Sequence, residues 1–138
     1  MKRKIFVTLL VLLLALAGAA CGGPVSAPEV DPNAVLQPIG QGEMVFPFLV
    51  TGPDEAVSGW EVHTDEETVG AALLALGLIA GDVGQFGLMV TEVNGIVADW
   101  DANGSFWAFF IDGDFAMTGV DVTYIEPGVT YAFVYTAG

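Results

Sequence analysis

Positive charge is nearly absent from this sequence. Its only three basic side chains, Lys2, Arg3 and Lys4, stand at the extreme amino end, against seventeen Asp and Glu and a formal net charge of −14. A surface without Lys or Arg cannot neutralise phosphate, which excludes nucleic acid as a partner and makes phosphate-bearing substrates a poor match. Beyond residue 4 no carboxylate can pair with Lys or Arg, so each depends on water, backbone N–H groups or bound cations. Mutual repulsion is then expected to weaken the fold at low ionic strength, and mild acid or added salt to strengthen it. Cysteine and histidine are equally scarce. Cys21 is alone, so no internal disulfide can form. His63 is also alone and reads as structural or solvated. One His, one cysteine and no distal Lys leave no material for Ser-His triads, thiol catalysis or metal-dependent hydrolysis. Acids are plentiful, but no pair stands out as the carboxylates of a glycosidase. The chain is expected not to be an enzyme.

What is present begins with a processing segment. The basic residues 2–4 precede an apolar run, 5–17, that is too short for a comfortable membrane span. Gly18, Ala19, Ala20 and Cys21 follow, and the arrangement looks like a bacterial lipoprotein signal in which cleavage exposes the cysteine for diacylation. Gly18 stands where such signals usually carry Leu, and an ordinary secretory peptide with a chance cysteine is the alternative. Residues 1–20 are thus expected to be a signal peptide, with Cys21 the lipidation site. Residues 21–42, rich in Pro, Gly, Ala and Ser and without periodicity, read as a flexible tether. Residues 43–138 form one domain, large enough for a single core.

Within that domain residues 43–51 and 58–63 read as strands joined through Gly52-Pro53-Asp54, with Pro47 confining the first to an edge or bulge. Thr64 followed by Glu67 fits a capping box, with Asp65 and Glu66 at the positive end of the helix dipole. Val69, Ala72, Leu73 and Leu76 then recur on one helical face that ends near Gly77. After a loop, residues 87–93 read as a strand ending at the hairpin pair Asn94-Gly95, with 96–100 its return. Residues 106–111 form a strand dense in aromatic and β-branched side chains, placed centrally, turning at Asp112-Gly113. A last strand covers 129–135. Strand, strand, helix, strand, strand, strand is the outline of an α+β, β-grasp-like mixed sheet with one packed helix.

Two local patterns invite sharper readings. Asp99, Asp101, Asn103 and Gly104 match the first half of a calcium loop, but Phe110 stands where its bidentate Glu belongs. A polar turn explains the pattern as well. The strand 106–111 is apolar on both parities, so it is either buried on both faces or keeps one face for an apolar guest. Trp107 and Phe109 are candidates for a ligand platform or for core. Phe115 and Met117, in a turn-bounded segment with fewer obvious core partners, are candidates for ligand contact.

The ordered series 67–73, Phe86-Gly87, Val93-Asn94-Gly95, 106–113, Gly119-Val120 and Pro127-Gly128 resembles the family of domains similar to the carboxy-terminal domain of transcobalamin and intrinsic factor. The resemblance spans about 44–135. It implies a β-grasp of the soluble-ligand-binding type, which in the vitamin carriers closes over one side of cobalamin while a separate helical domain holds the larger part of the site. Its ligand side maps onto Phe86, Trp107, Phe109, Phe115 and Met117. Phe86 and Phe106 stand where Tyr is common, which removes hydroxyls toward a polar ligand edge. The resemblance thus implies capture of a soluble small molecule, a corrinoid such as cobalamin being the concrete candidate, for uptake through a transporter partner. Membrane attachment would come from a lipid at Cys21, on the extracytoplasmic face of a bacterial cell. The alternative is a surface module that meets another protein or a glycan.

Overall fold

Strand β2 (Met44–Thr51) alternates buried Phe46, Phe48 and Val50 with residues on the opposite face, as a strand at the middle of a sheet should. The computed structural model describes residues 35–138, and there β2 runs antiparallel to β3 (Val57–Thr64) along its whole length. On its other side β2 pairs in parallel with the last strand, β9 (Tyr131–Thr136), but only from Phe48 onward. Pro47 therefore falls in the half of β2 that has one neighbour, where a missing N–H breaks no ladder.

The larger sheet is completed by β1 (Gln37–Gly40), parallel to β3, and by β7 (Phe106–Ile111) with its short hairpin partner β8 (Asp114–Phe115), in the order β1-β3-β2-β9-β7-β8. A second sheet holds β4 (Ile79–Gly84), β5 (Gly87–Val93) and β6 (Ile96–Val97) in that order. Helix α1 (Val69–Ala75) is the main helix, α2 (Trp100–Asn103) is one turn, and a 3-10 turn covers Val120–Val122. This is the expected β-grasp-like α+β architecture, and no helix among the described residues is long and apolar enough to cross a membrane.

Three sequence expectations are corrected here. The helix begins a turn later than the capping box suggests: Thr64 is still in β3, its Oγ1 accepting from the Glu66 N–H, and Thr68 caps α1 by accepting from the Ala71 N–H. Asp65 serves the preceding turn instead, accepting from the Glu43 N–H at 3.0 Å. Strand β1 lies in the stretch read as tether, because pairing with β3 supplies the order that its Pro- and Gly-containing sequence lacks. Strand β7 is next to the edge, the centre being β2 and β9, since its aromatic density reflects burial on both faces and not its place in the order. Residues 1–20, Cys21 and the first part of the tether lie outside the described residues.

The principal core unites α1 (Val69, Ala72, Leu73) with Phe46, Phe48, Val62, Trp107, Phe109, Tyr131 and Phe133. A second cluster on the other side of the sheet holds Leu49, Ala108, Phe110, Ala132 and Val134, with Leu36 packed against it. Helix α1 ends in a Schellman pattern, Gly77 N–H to the Leu74 carbonyl and Leu78 N–H to that of Leu73, with Gly77 at φ +72°. That turn feeds Ile79 straight into β4 and so places the small sheet beside β7.

Candidate ligand-binding cleft

Where the small sheet meets β7, an apolar cleft of about 270 Å³ opens between β5, the start of β7 and residues 118–120. Local chemistry builds each wall. Asn94 (φ +51°) and Gly95 (φ +78°) form the tight turn that folds β6 back along β5. The indole Nε1–H of Trp107 donates to the Ile96 carbonyl at 3.1 Å, tying β7 to that return strand. Asp121 Oδ2 accepts from the Leu88 N–H at 3.3 Å and holds the start of β5 to the 3-10 turn. Phe109 stacks on Phe133 with centroids 5.0 Å apart, and Trp107 meets Tyr135 edge-on at 5.4 Å, so the floor is a rigid aromatic layer.

Trp107 and Phe109, only 6% and 8% exposed, are core residues that also line the cleft. Met117, 91% exposed, is not among the lining residues, although it directly precedes Thr118, which is. Phe86, 95% exposed, is at the β4–β5 hairpin tip, outside the cleft lining, in a separate hollow that shares Leu88 and Met89 with the cleft. Phe115 is not brought to the cleft. It pairs with Phe110 across the β7–β8 hairpin and meets its ring edge-on at 5.7 Å, and Phe110 belongs to the core on the opposite face of β7.

Sequence reasoning missed much of the wall and rim. Met89 and Trp100, 69% and 66% exposed, line the cleft, and Trp100 meets Phe106 edge-on at 6.0 Å. Met89 carried a usable signal, an apolar side chain facing outward between Leu88 and Val90 in an alternating strand. Trp100 carried none, because it opens a four-residue helix too short to show a period.

The half-calcium pattern has another occupation. Asp99 caps α2 by accepting from the Ala102 N–H, and Asn103 Oδ1 accepts from both the N–H and the hydroxyl of Ser105. Among the described residues no three His, Cys, Asp or Glu gather as a metal site. His63 lies on β3, bonded to Glu61 at 2.8 Å and among no cleft-lining residues. The group whose acidity the fold visibly alters is Tyr131. Burial pushes its phenol up, opposed by the bond it accepts from the Glu126 N–H and reinforced by the charges of Glu126 and Asp112.

No protein-family model matches the chain, and no curated protein matches it. Among solved structures, a protein from Ruminococcus gnavus ATCC 29149, provisionally described as metal binding, superposes with a TM-score of 0.66 at 26% identity, covering 70% of this chain and 99% of that one. Haptocorrin, solved in complex with Cbi, superposes with a TM-score of 0.51 at 12% identity, covering 68% of this chain. The match spans 25% of the haptocorrin chain, and at this identity it shows the fold alone. The chain thus shares its α+β, β-grasp-like fold with proteins described as binders, a link at the level of architecture to the transcobalamin-like domain that its sequence resembles.

Proposed function

We propose that this chain is a lipid-anchored, extracytoplasmic binding domain that captures a soluble small molecule by apolar burial, without covalent chemistry. One observation carries the reading: every residue that lines the cleft is uncharged, in a chain with seventeen acidic groups. A concave surface free of ionisable groups, with an aromatic floor and the large apolar side chains Met89 and Trp100 left in water, is the pattern of an apolar ligand site.

The concrete candidate is a corrinoid such as cobalamin, supported by the sequence resemblance and by the fold shared with haptocorrin. A cleft of about 270 Å³ is at the small end of ligand sites and would take an edge or side group of so large a molecule. A second protein, such as an uptake transporter, would cover the rest. Diacylation at Cys21 would hold the domain at the outer face of a bacterial membrane, with the following residues as tether. The exposure of Phe86 and Met117 favours a second reading, an interaction module whose apolar patch meets a protein or a glycan.

Titration with cyanocobalamin and with cobinamide, read by tryptophan fluorescence and checked by equilibrium dialysis, tests the first reading. Saturable binding is expected, weakened about tenfold, or roughly 1.4 kcal/mol, when Met89→Ala and Trp100→Ala are combined in a chain that still unfolds cooperatively. No saturation by about 1 mM, where binding is worth only about −4 kcal/mol, would leave the interaction module as the better account.

A further inference from the structure

The cleft is lined by uncharged residues, and the charged side chains nearest to them along the chain and across the hairpin are all of one sign. On the β4 side Asp82 lies opposite Met89 in the hairpin register. On the 3-10 side Asp121 directly follows Val120. On the α2 side Trp100 stands between Asp99 and Asp101. Met89, Val120 and Trp100 all line the cleft, so three of the elements that form its walls carry an Asp next to a lining residue in sequence or register. Nothing offsets them, because no Lys or Arg occurs among the described residues and His63 sits on β3 beside Glu61. The Leu88 amide, a rim donor that could have received an anion, is already taken by Asp121.

We propose, building on the capture reading above, that this cleft selects apolar organic cations. The hydrocarbon or aromatic body lodges against Trp107 and Phe109, and the positive group stays at the mouth near Asp82, Asp101 and Asp121. Low-dielectric walls concentrate the field of those carboxylates at the opening, and the aromatic pair Trp100 and Phe106 adds ring faces that attract a cation. An anion of the same size finds neither a basic side chain nor the free Leu88 amide, and it meets the summed repulsion of the whole domain.

Displacement of the neutral dye N-phenyl-1-naphthylamine by octyltrimethylammonium, octanol and octyl sulfate tests this with one tail and three charges. At about 10 mM salt, where screening reaches roughly 30 Å, the ammonium should bind at least about tenfold more tightly than the sulfate, with octanol between them. The order should collapse near 1 M salt, where screening falls to about 3 Å. Combining Asp82→Asn with Asp101→Asn should reduce the ratio of ammonium to octanol affinity at low salt. Equal or tighter binding of octyl sulfate at low salt, with dye and octanol still bound, overturns the charge selection alone. Failure of the dye to bind the folded chain overturns the capture reading, and this inference with it.

Discussion

The indole N–H of Trp107 points across the gap between the two sheets and donates to the carbonyl of Ile96 at 3.1 Å. Ile96 opens β6, whose pairing with β5 reaches only Glu92 and Val93, so this side-chain bond reinforces a short strand. The bond also fixes the angle of the ring that floors the cleft. Trp107→Phe keeps an aromatic ring but leaves the Ile96 carbonyl without this donor and a void beside it. A loss of about 1–3 kcal/mol in stability is expected from urea unfolding, together with weaker dye binding. An unchanged unfolding midpoint would mean that the bond does not join the sheets.

Tyr131 makes a comparable link at the far end of the core. Its hydroxyl accepts from the Glu126 N–H at 3.1 Å and donates to the Tyr124 carbonyl at 3.3 Å, closing the loop that leads into β9. Burial favours the neutral phenol, so its folded pKa is above the ordinary 10.0. A pKa raised on folding gives stability that is fully present below the unfolded value and is lost as pH rises through the folded one. Urea midpoints should therefore hold from pH 7 to about 9 and fall beyond pH 10. Tyr131→Phe should lower the plateau by about 1–3 kcal/mol, because both backbone groups lose their partner, and should flatten the alkaline fall. A fall of equal steepness in the variant would place the titrating group elsewhere.

The parts of this architecture legible in the sequence were those decided locally. Asn94-Gly95 and Asp112-Gly113 mark tight turns because each requires positive φ at both positions, which the structure shows. The buried face of α1 follows from its period alone. The capping box at Thr64 misplaces the helix start because its pattern is local, whereas the pairing of Thr64 with Met44 keeps it in β3 and leaves the cap to Thr68. Strand β4 falls in a stretch with the sequence character of a loop, since Ile79-Ala-Gly-Asp-Val-Gly is poor in β formers and owes its order to β5. The same division separates the site: Trp107 and Phe109 share one strand face, and Met89 faces outward in an alternating strand, whereas Trp100 is presented by a one-turn helix that hydrophobic periodicity does not mark.

Salt should stabilise this domain more than it does a balanced one. His63 with Glu61 is the sole acid–base pair among the described residues, and the remaining carboxylates repel at long range. Raising ionic strength from about 0.01 M to 0.15 M shortens the screening length from roughly 30 Å to 8 Å. Each 1 kcal/mol of repulsion relieved raises the melting temperature of a domain this size by about 4–8 °C. A melting temperature that stays level or drops over this range would show that the acids are already neutralised, for example by bound cations.

Gly81 gives the sharpest test of how the small sheet supports the cleft. The register of β4 against β5 shifts between Ala80 and Gly81, and this irregularity brings Gly81 hard against the backbone of Met89. A Cβ added at Gly81 would fall on the Met89 carbonyl oxygen, far inside contact distance, with Val90 Cα 2.9 Å away. Backbone of the paired strand cannot swing aside as a side chain would, so Gly81→Ala must displace β5 or separate the pair. Gly84, where an added Cβ meets nothing within 4 Å, is the matched control. Gly81→Ala should cost about 1–3 kcal/mol, the range for overpacking, and weaken dye binding because Leu88, Met89 and Val90 form the wall that moves. Gly84→Ala should change neither measurement by more than about 0.5 kcal/mol. Equal effects from the two substitutions would mean that the contact between β4 and Met89 does not set the position of that wall.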